Sequence, residues 1–232
     1  MKLCDIDCSI NFVPAHFSLY KFFILLHYTS MDATNGKRSL VILTGPCAAG
    51  KDTLLKLLNE EFASGVSQAI SHTTRPPRAN EKNGVNYHFV TVEDFKQGVA
   101  NGEFIEHVQY NGNYYGVTYR AVQSVLDAGK TCTLIVNIDG CTSIRKNAKF
   151  PVVYFFVHTS KFEDLETRIR KRSMTTKENE ETIKSKLEIA KEELSYFESH
   201  KNEWDYALVN DDLDKCYAEL KAHLSVRCIK LD

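Results

Sequence analysis

From Ser39 onward the chain alternates short, continuous apolar runs with stretches whose apolar residues recur every three or four positions. Ser39-Leu-Val-Ile-Leu-Thr44 is apolar without alternation, so a strand built from it would be buried on both faces, as in a parallel sheet covered by helices. Leu54, Leu55, Leu58 and Phe62 then fall on one helical face. Cys132 to Ile138 and Val152 to Val157 predict two further buried strands, and Ala207 to Val209 a short fourth, each followed by helical spacing. In the last helix Leu213, Cys216 or Tyr217, Leu220 and Leu224 form a stripe behind Asp211 or Asp212 as N-cap. Strand and helix in alternation place the chain in the α/β class, with a parallel sheet flanked by helices.

Two stretches break that rhythm. Ser71 to Arg120 is rich in Tyr, Asn, Gly and charge and reads as a small mixed α+β lobe inserted in the core. Within it Thr91 can open a short helix that Gly102 closes, with strands at Tyr87 to Val90 and Phe104 to Gln109. Arg168 to Lys186 is polar and suits a mobile lid, while Glu178 to Glu193 alternates acids and bases at helical spacing, as a solvated helix face does. Residues 1–37 differ again, with no arginine and three acidic and three basic residues. Their apolar run, Phe17 to Tyr28, is interrupted by Lys21 and falls well short of the roughly 20 residues that span a bilayer. Asp5 and Asp7 ahead of it do not suit a secretory signal, and the lack of arginine does not suit a mitochondrial presequence. This extension, a candidate for disorder, reads as a non-essential leader or a weak targeting or docking segment, and the apolar run alone does not decide.

Composition narrows the partners. The 232 residues carry 29 Lys plus Arg against 30 Asp plus Glu, so there is no overall basic field to hold a nucleic-acid backbone. Seven cysteines without a CxxC pair, in a chain too large to need disulfide staples, indicate a reducing compartment. The expectation is a cytoplasmic protein, monomeric or dimeric, with organellar targeting by the extension left open.

The strongest chemical signal is Gly45-Pro46-Cys47-Ala48-Ala49-Gly50-Lys51-Asp52-Thr53, between the first buried strand and the first amphipathic helix. Glycines at both ends let successive N–H groups aim at phosphate oxygens, the helix start adds its positive end, and Lys51 brings a point charge for the β and γ phosphates. This is a phosphate-binding loop for a nucleotide. Where a Ser or Thr hydroxyl normally serves Mg²⁺ the chain has Asp52, whose carboxylate can ligate the metal directly or through water, or can simply stabilise the helix N-terminus. Cys47 lies inside this loop, where the helix start could activate a thiolate for a redox role or where the residue simply completes the loop.

A second cluster is Ser71-His-Thr-Thr-Arg75-Pro-Pro-Arg78, followed by Tyr87, Glu106 and Asn113-Tyr-Tyr115-Gly116. Two guanidinium forks and two phenols suit a phosphate monoester. The acid has no place on such an anion and suits a base instead. A carboxylate accepts two parallel hydrogen bonds from N1–H and the exocyclic amine of guanine, a pairing adenine cannot offer. Histidines 72, 88 and 107 show no metal spacing and read as packing or surface residues.

With these motifs in order and spacing, together with GVNYHF, EFIEHVQYNGNYYG and VNDDLD, the chain resembles the guanylate kinases over nearly everything after residue 38. The resemblance implies a kinase domain at 38–230 behind the extension 1–37. Its phosphate-loop parallel-sheet core would span 38–70, 121–167 and 187–230, with a GMP-binding lobe at 71–120 and a helical lid at 168–186. It implies ATP and GMP as substrates, Mg²⁺ as cofactor and a place in purine nucleotide metabolism. By position, Arg75, Arg78, Tyr87 and Tyr115 would hold the GMP phosphate, Ser71 and Glu106 would read guanine, and Asn137 would belong to the same site. Lys51, Arg75 and the lid arginines Arg168 and Arg172 would serve catalysis, and Asn210 and Asp211 would lie near the adenine. Three positions depart from the family pattern: Asn137 at a core-strand position that is usually acidic, Val117 for a serine and Lys186 for an arginine. Asn137 and Asp52 could be complementary, one losing a charge near the metal and the other adding it. The competing readings are a guanylate-kinase-like interaction module, which would not need Lys51, Arg75, Arg78 and Glu106, and a kinase for AMP or UMP, which would not need the acid.

Overall fold

The computed structural model describes residues 39–110 and 112–226. The 1–37 extension with its apolar run, and the last residues of the domain, lie outside them. The core is a five-stranded parallel sheet in the order β2 (Val66–Gln68), β7 (Thr131–Ile135), β1 (Leu40–Thr44), β8 (Val152–His158), β9 (Tyr206–Val209). Every residue of β1 is buried because the strand sits in the middle with helices on both sides. Val41 and Leu43 face one hydrophobic cluster, with Leu54, Leu55 and Leu58 of α1 (Lys51–Glu61) and Leu220 and Leu224 of α7 (Leu213–Val226). Leu40 and Ile42 face the other, with Val122 of α3 (Tyr119–Asp127), Ile144 of α4 (Ile138–Asn147), Phe156 and Trp204. An apolar run without alternation is the direct consequence of that two-sided burial.

The inserted lobe is a four-stranded sheet in the order β4 (His88–Phe89), β3 (His72–Thr73), β6 (Asn113–Thr118), β5 (Phe104–Tyr110), parallel only between β3 and β4. Across it lies α2 (Val92–Ala100), whose Thr91 cap accepts a hydrogen bond from the Asp94 N–H and whose C-terminal turn closes at Gly102 with φ 69°. Because strand residues alternate between faces, the register gives the lobe two distinct sides. His72, His88, Phe104, His107 and Tyr114 share the side of Phe95 from α2. Tyr87, Phe89, Tyr115 and Arg75 share the opposite side.

The polar stretch expected as a lid is helical for most of its length. α5 (Phe162–Thr176) runs into it, Lys177 turns the chain with φ 54°, and Asn179 caps α6 (Glu180–Ser199) by accepting from the Thr182 N–H. Glu178 in the turn accepts from both Ser173 and Lys186, so the two helices are tied across their connection. The apolar pattern breaks here because few of the residues meet the core, while the backbone stays helical.

Asp212, not Asp211, starts α7, its carboxylate accepting the Lys215 N–H at 3.0 Å. Asn137 is likewise off the strand: it follows β7 and caps α4, accepting the Gly140 N–H at 2.8 Å.

The loop between β1 and α1 is pressed against the ends of β8 and β9. Gly45 has φ 123°, and a Cβ there would lie 2.1 Å from the Val157 carbonyl oxygen. Gly84, at φ 74°, has nothing within 4 Å of such a Cβ. Gly45→Ala is therefore expected to cost more than the roughly 1–2 kcal/mol of a left-handed alanine, and Gly84→Ala only about that. Urea unfolding of the two variants checks this, and equal losses would contradict the close approach.

Candidate functional site

The phosphate loop is assembled from strand β1, the start of α1 and the residue after β9. Gly50, at φ 102°, approaches so closely that a Cβ would meet Asn210 Nδ2 at 2.1 Å, and that buried amide donates to the Ala49 carbonyl at 2.7 Å. Asn210 thus locks the loop to the sheet. Lys51 donates to the carbonyls of Gly45 and Pro46, the latter at 2.7 Å, which curls its ammonium back over the loop. Burial holds the Lys51 pKa below its ordinary value, while the carboxylates of Glu193 and Asp52 act in the opposite direction.

Glu193 is a residue that sequence pattern missed. It belongs to α6, in a stretch that reads as a solvated face, yet it is half-buried; burial raises its pKa and Lys51 lowers it. Nothing in its local spacing distinguishes it from neighbouring acids, because only the packing of α6 brings it to the loop. Arg168 and Arg172 of α5 also converge on this region. Arg172 acts electrostatically on Lys51, and Arg168 acts on Asp211, whose carboxylate accepts from the Ser160 N–H at 2.8 Å. Among the described residues neither arginine has an ion-pair partner, so both keep free guanidinium groups.

Asp52 and Thr53 are exposed on the first turn of α1. Burial raises the Tyr87 pKa, Tyr115 and Glu81 add to the rise, and the charge of Asp52 reaches across to the lobe as the smallest contribution in the same direction. Tyr87 and Tyr115 meet edge to face with ring centroids 6.2 Å apart, and the Arg75 guanidinium lies 5.7 Å from the Tyr87 ring centre. Arg75 Nη2 donates to both carboxylate oxygens of Glu81, at 2.8 and 3.0 Å, its Nη1 donates to the Pro76 carbonyl at 2.7 Å, and Glu81 also accepts the Arg78 backbone N–H at 2.7 Å. Glu81 is the second residue that sequence reasoning missed. Its one signal is an acid three residues after Arg78 and six after Arg75. The Arg78 side chain remains exposed, and Ser71 is half-buried at the start of the lobe sheet, its carbonyl accepting the His88 N–H.

Glu106 sits at the base of this side of the lobe, 6% exposed. Burial pushes its carboxyl up to about 7, and the Val117 N–H donates to it and opposes the rise. Position 117 therefore serves the acid through its backbone while its buried valine side chain packs in the core beside Ile105. A Cβ on Gly140 would lie 3.2 Å from both Glu106 Oε2 and Asn137 Oδ1, so both groups border the first turn of α4, whose Asp139 acts electrostatically on Glu193 near Lys51.

These features, a locked phosphate loop facing a lobe that gathers two arginines, two tyrosines and a buried acid, can be compared with known proteins. The guanylate kinase family model matches residues 37–227. The chain is 41% identical over 187 residues to the guanylate kinase of Sus scrofa, covering 80% of this chain and 91% of that protein. It belongs to the guanylate kinase family.

Guanylate kinase 1 of Oryza sativa subsp. japonica is 39% identical over 186 residues, and there this chain spans 47% of the relative's length. Among solved structures, guanylate kinase from Anaplasma phagocytophilum matches with a TM-score of 0.61 and 26% identity, over 84% of this chain and 89% of that one. Among the described residues no helix is long and apolar enough to cross a membrane.

A family member with this carboxyl has a measurable pH signature. With its pKa raised from 4.5 to about 7 in the folded state, Glu106 binds more protons folded than unfolded between those values, so stability falls as pH rises through the window. At about 1.4 kcal/mol per unit the loss is on the order of 3 kcal/mol. Denaturant unfolding of the unliganded protein at pH 5 and 7.5 is expected to show that loss, and Glu106→Gln to remove most of it. An unchanged pH dependence in the variant would contradict an acid held protonated by burial.

Proposed function

We propose that the chain catalyses reversible transfer of the γ-phosphoryl group of ATP to GMP, giving ADP and GDP. The observation that carries this is the buried Glu106, on a lobe that also presents Arg75, Tyr87 and Tyr115. A carboxylate in a site of low polarity favours a ligand that returns two N–H donors, as the guanine N1–H and exocyclic amine do. Ser71 would add a contact to the base, with Asn137 beside the acid. The GMP phosphate would be held by Arg75, Arg78, Tyr87 and Tyr115, with Glu81 and the Pro76 carbonyl positioning the Arg75 guanidinium.

ATP would thread its phosphates through residues 45–53, with Asn210 and Asp211 near the adenine. The three working parts would be the core, at 38–70, 121–167 and 187–230, the GMP lobe at 71–120 and the lid at 168–186. Transfer needs no covalent enzyme intermediate, because phosphoryl transfer depends mainly on aligning donor and acceptor and neutralising charge on the moving oxygens. Lys51 would carry that charge from the loop, and Arg168 and Arg172 from the lid, their free guanidinium groups needing no partner to be displaced first. Glu193 would hold the Lys51 ammonium in place before the nucleotide arrives.

Among the described residues no group of three or more His, Cys, Asp or Glu side chains is arranged to hold a metal ion. Magnesium commonly takes one or two carboxylates together with nucleotide phosphates and waters. The exposed Asp52 beside Lys51 fits that pattern, and the ion would supply charge neutralisation on the donor oxygens.

The test is ADP formation from ATP with GMP, AMP, CMP and UMP in turn, with and without Mg²⁺. Activity with GMP alone and only with the metal is expected. For Glu106→Gln the expected loss with GMP is about 10⁴-fold, the scale on which a site rejects a ligand whose polar groups go unmatched. Equal turnover of AMP, or an unimpaired Glu106→Gln protein, would overturn the assignment.

A further inference from the structure

The lobe's second side opens onto a cavity that takes no part in the reaction above. It has a volume of about 980 Å³ and lies where the chain passes between core and lobe, bounded by Gln68 and Ile70 on one crossing and by Thr118 and Tyr119 on the other. Four cationic or protonatable groups line it: His72, His88, Arg120 and Lys149. Its one acid, Glu103, already accepts a hydrogen bond from Asn101 at 3.0 Å. Arg120 has no ion-pair or side-chain hydrogen-bond partner among the described residues, and Lys149 has only the face of Tyr119, 5.2 Å away. His72 Nδ1 is buried without a hydrogen-bond partner, its ring centre 4.7 Å from that of His88. Ile70, Val125 and Ala121 supply an apolar wall.

We propose that this cavity is a second binding site, for a phosphate-bearing small molecule with an aromatic ring, separate from the ATP and GMP sites. Three observations support that ligand class. Arg120 and Lys149, without ion-pair partners among the described residues, offer charged N–H donors that suit a phosphate group, while Glu103 faces His72. A wall of aliphatic side chains and the Tyr119 ring suits a flat apolar body. The volume is that of a small-molecule site. The strand alternation that sends Ser71 and Tyr87 toward the GMP side sends His72 and His88 into this cavity, so the two ligands would lie on opposite sides of one thin sheet. An occupant touching both crossings would bias the lobe's position relative to the core, and with it the affinity for GMP.

The probe is phenyl phosphate, titrated into the full chain while the imidazole C–H resonances of His72 and His88 are followed by NMR. Saturable shifts of both are expected, and the paired variant Arg120→Gln, Lys149→Gln should weaken binding by about tenfold or more, the scale of losing charge-assisted hydrogen bonds. Both side chains are exposed, and each single variant gives the same comparison should the pair fold poorly. Lys51→Met, which disables the phosphate loop, should leave the titration unchanged. Histidines that do not respond, or a response that keeps its strength in the Arg120→Gln and Lys149→Gln variants, would overturn the proposal. Neither outcome touches the kinase reading, which stands or falls on ADP formation.

Discussion

A carboxyl group buried in the lobe, with one backbone N–H to satisfy it, is the constraint on which the rest of the account depends. Removing an acid from water favours its neutral form, and Glu106 is shifted accordingly. Such a group is tolerated where a ligand restores what burial removes. Under the proposed reaction the elements around it would make that exchange: β5 and β6 hold the carboxylate, the α4 turn capped by Asn137 borders it, and the tyrosines and Arg75 stand on the same side of the sheet. In the proposed reaction, specificity for a base and affinity for its phosphate would come from one lobe.

The phosphate loop meets the complementary difficulty, a buried ammonium. Lys51 is depressed by burial and is kept company by the Gly45 and Pro46 carbonyls and by the charges of Glu193 and Asp52. These come from three elements, so the position of the lysine reports on the packing of α6 as well as on the loop. Since α6 and α5 are tied through Glu178, Arg168, Arg172 and the carboxylate near the lysine belong to one helical pair. Movement of that pair would change the charge around Lys51 and the reach of Arg172 together.

Much of this was legible in the chain. The central strands were visible because two-sided burial leaves no alternation, and the phosphate loop because strand, glycine pair, lysine and helix occur in order. The edge strand β2 was not, since three residues with only Val66 fully buried carry too little pattern. Strand β3, at two residues, carries less. Asn137 read as a strand residue because apolar neighbours surround it, whereas its side chain caps a helix. Glu81 and Glu193 escaped for a common reason: each acts on a cation brought to it by a turn or a distant helix, and neither contact leaves a periodic trace. The cavity at the crossing was invisible for the same reason, its walls coming from several separate segments.

The most direct test of the central claim is a crystal structure of the protein with GMP. The account predicts both Glu106 carboxylate oxygens within hydrogen-bond distance of the guanine N1 and exocyclic amine, with the phosphate among Arg75, Arg78, Tyr87 and Tyr115. A nucleotide bound with its base away from Glu106 would contradict it.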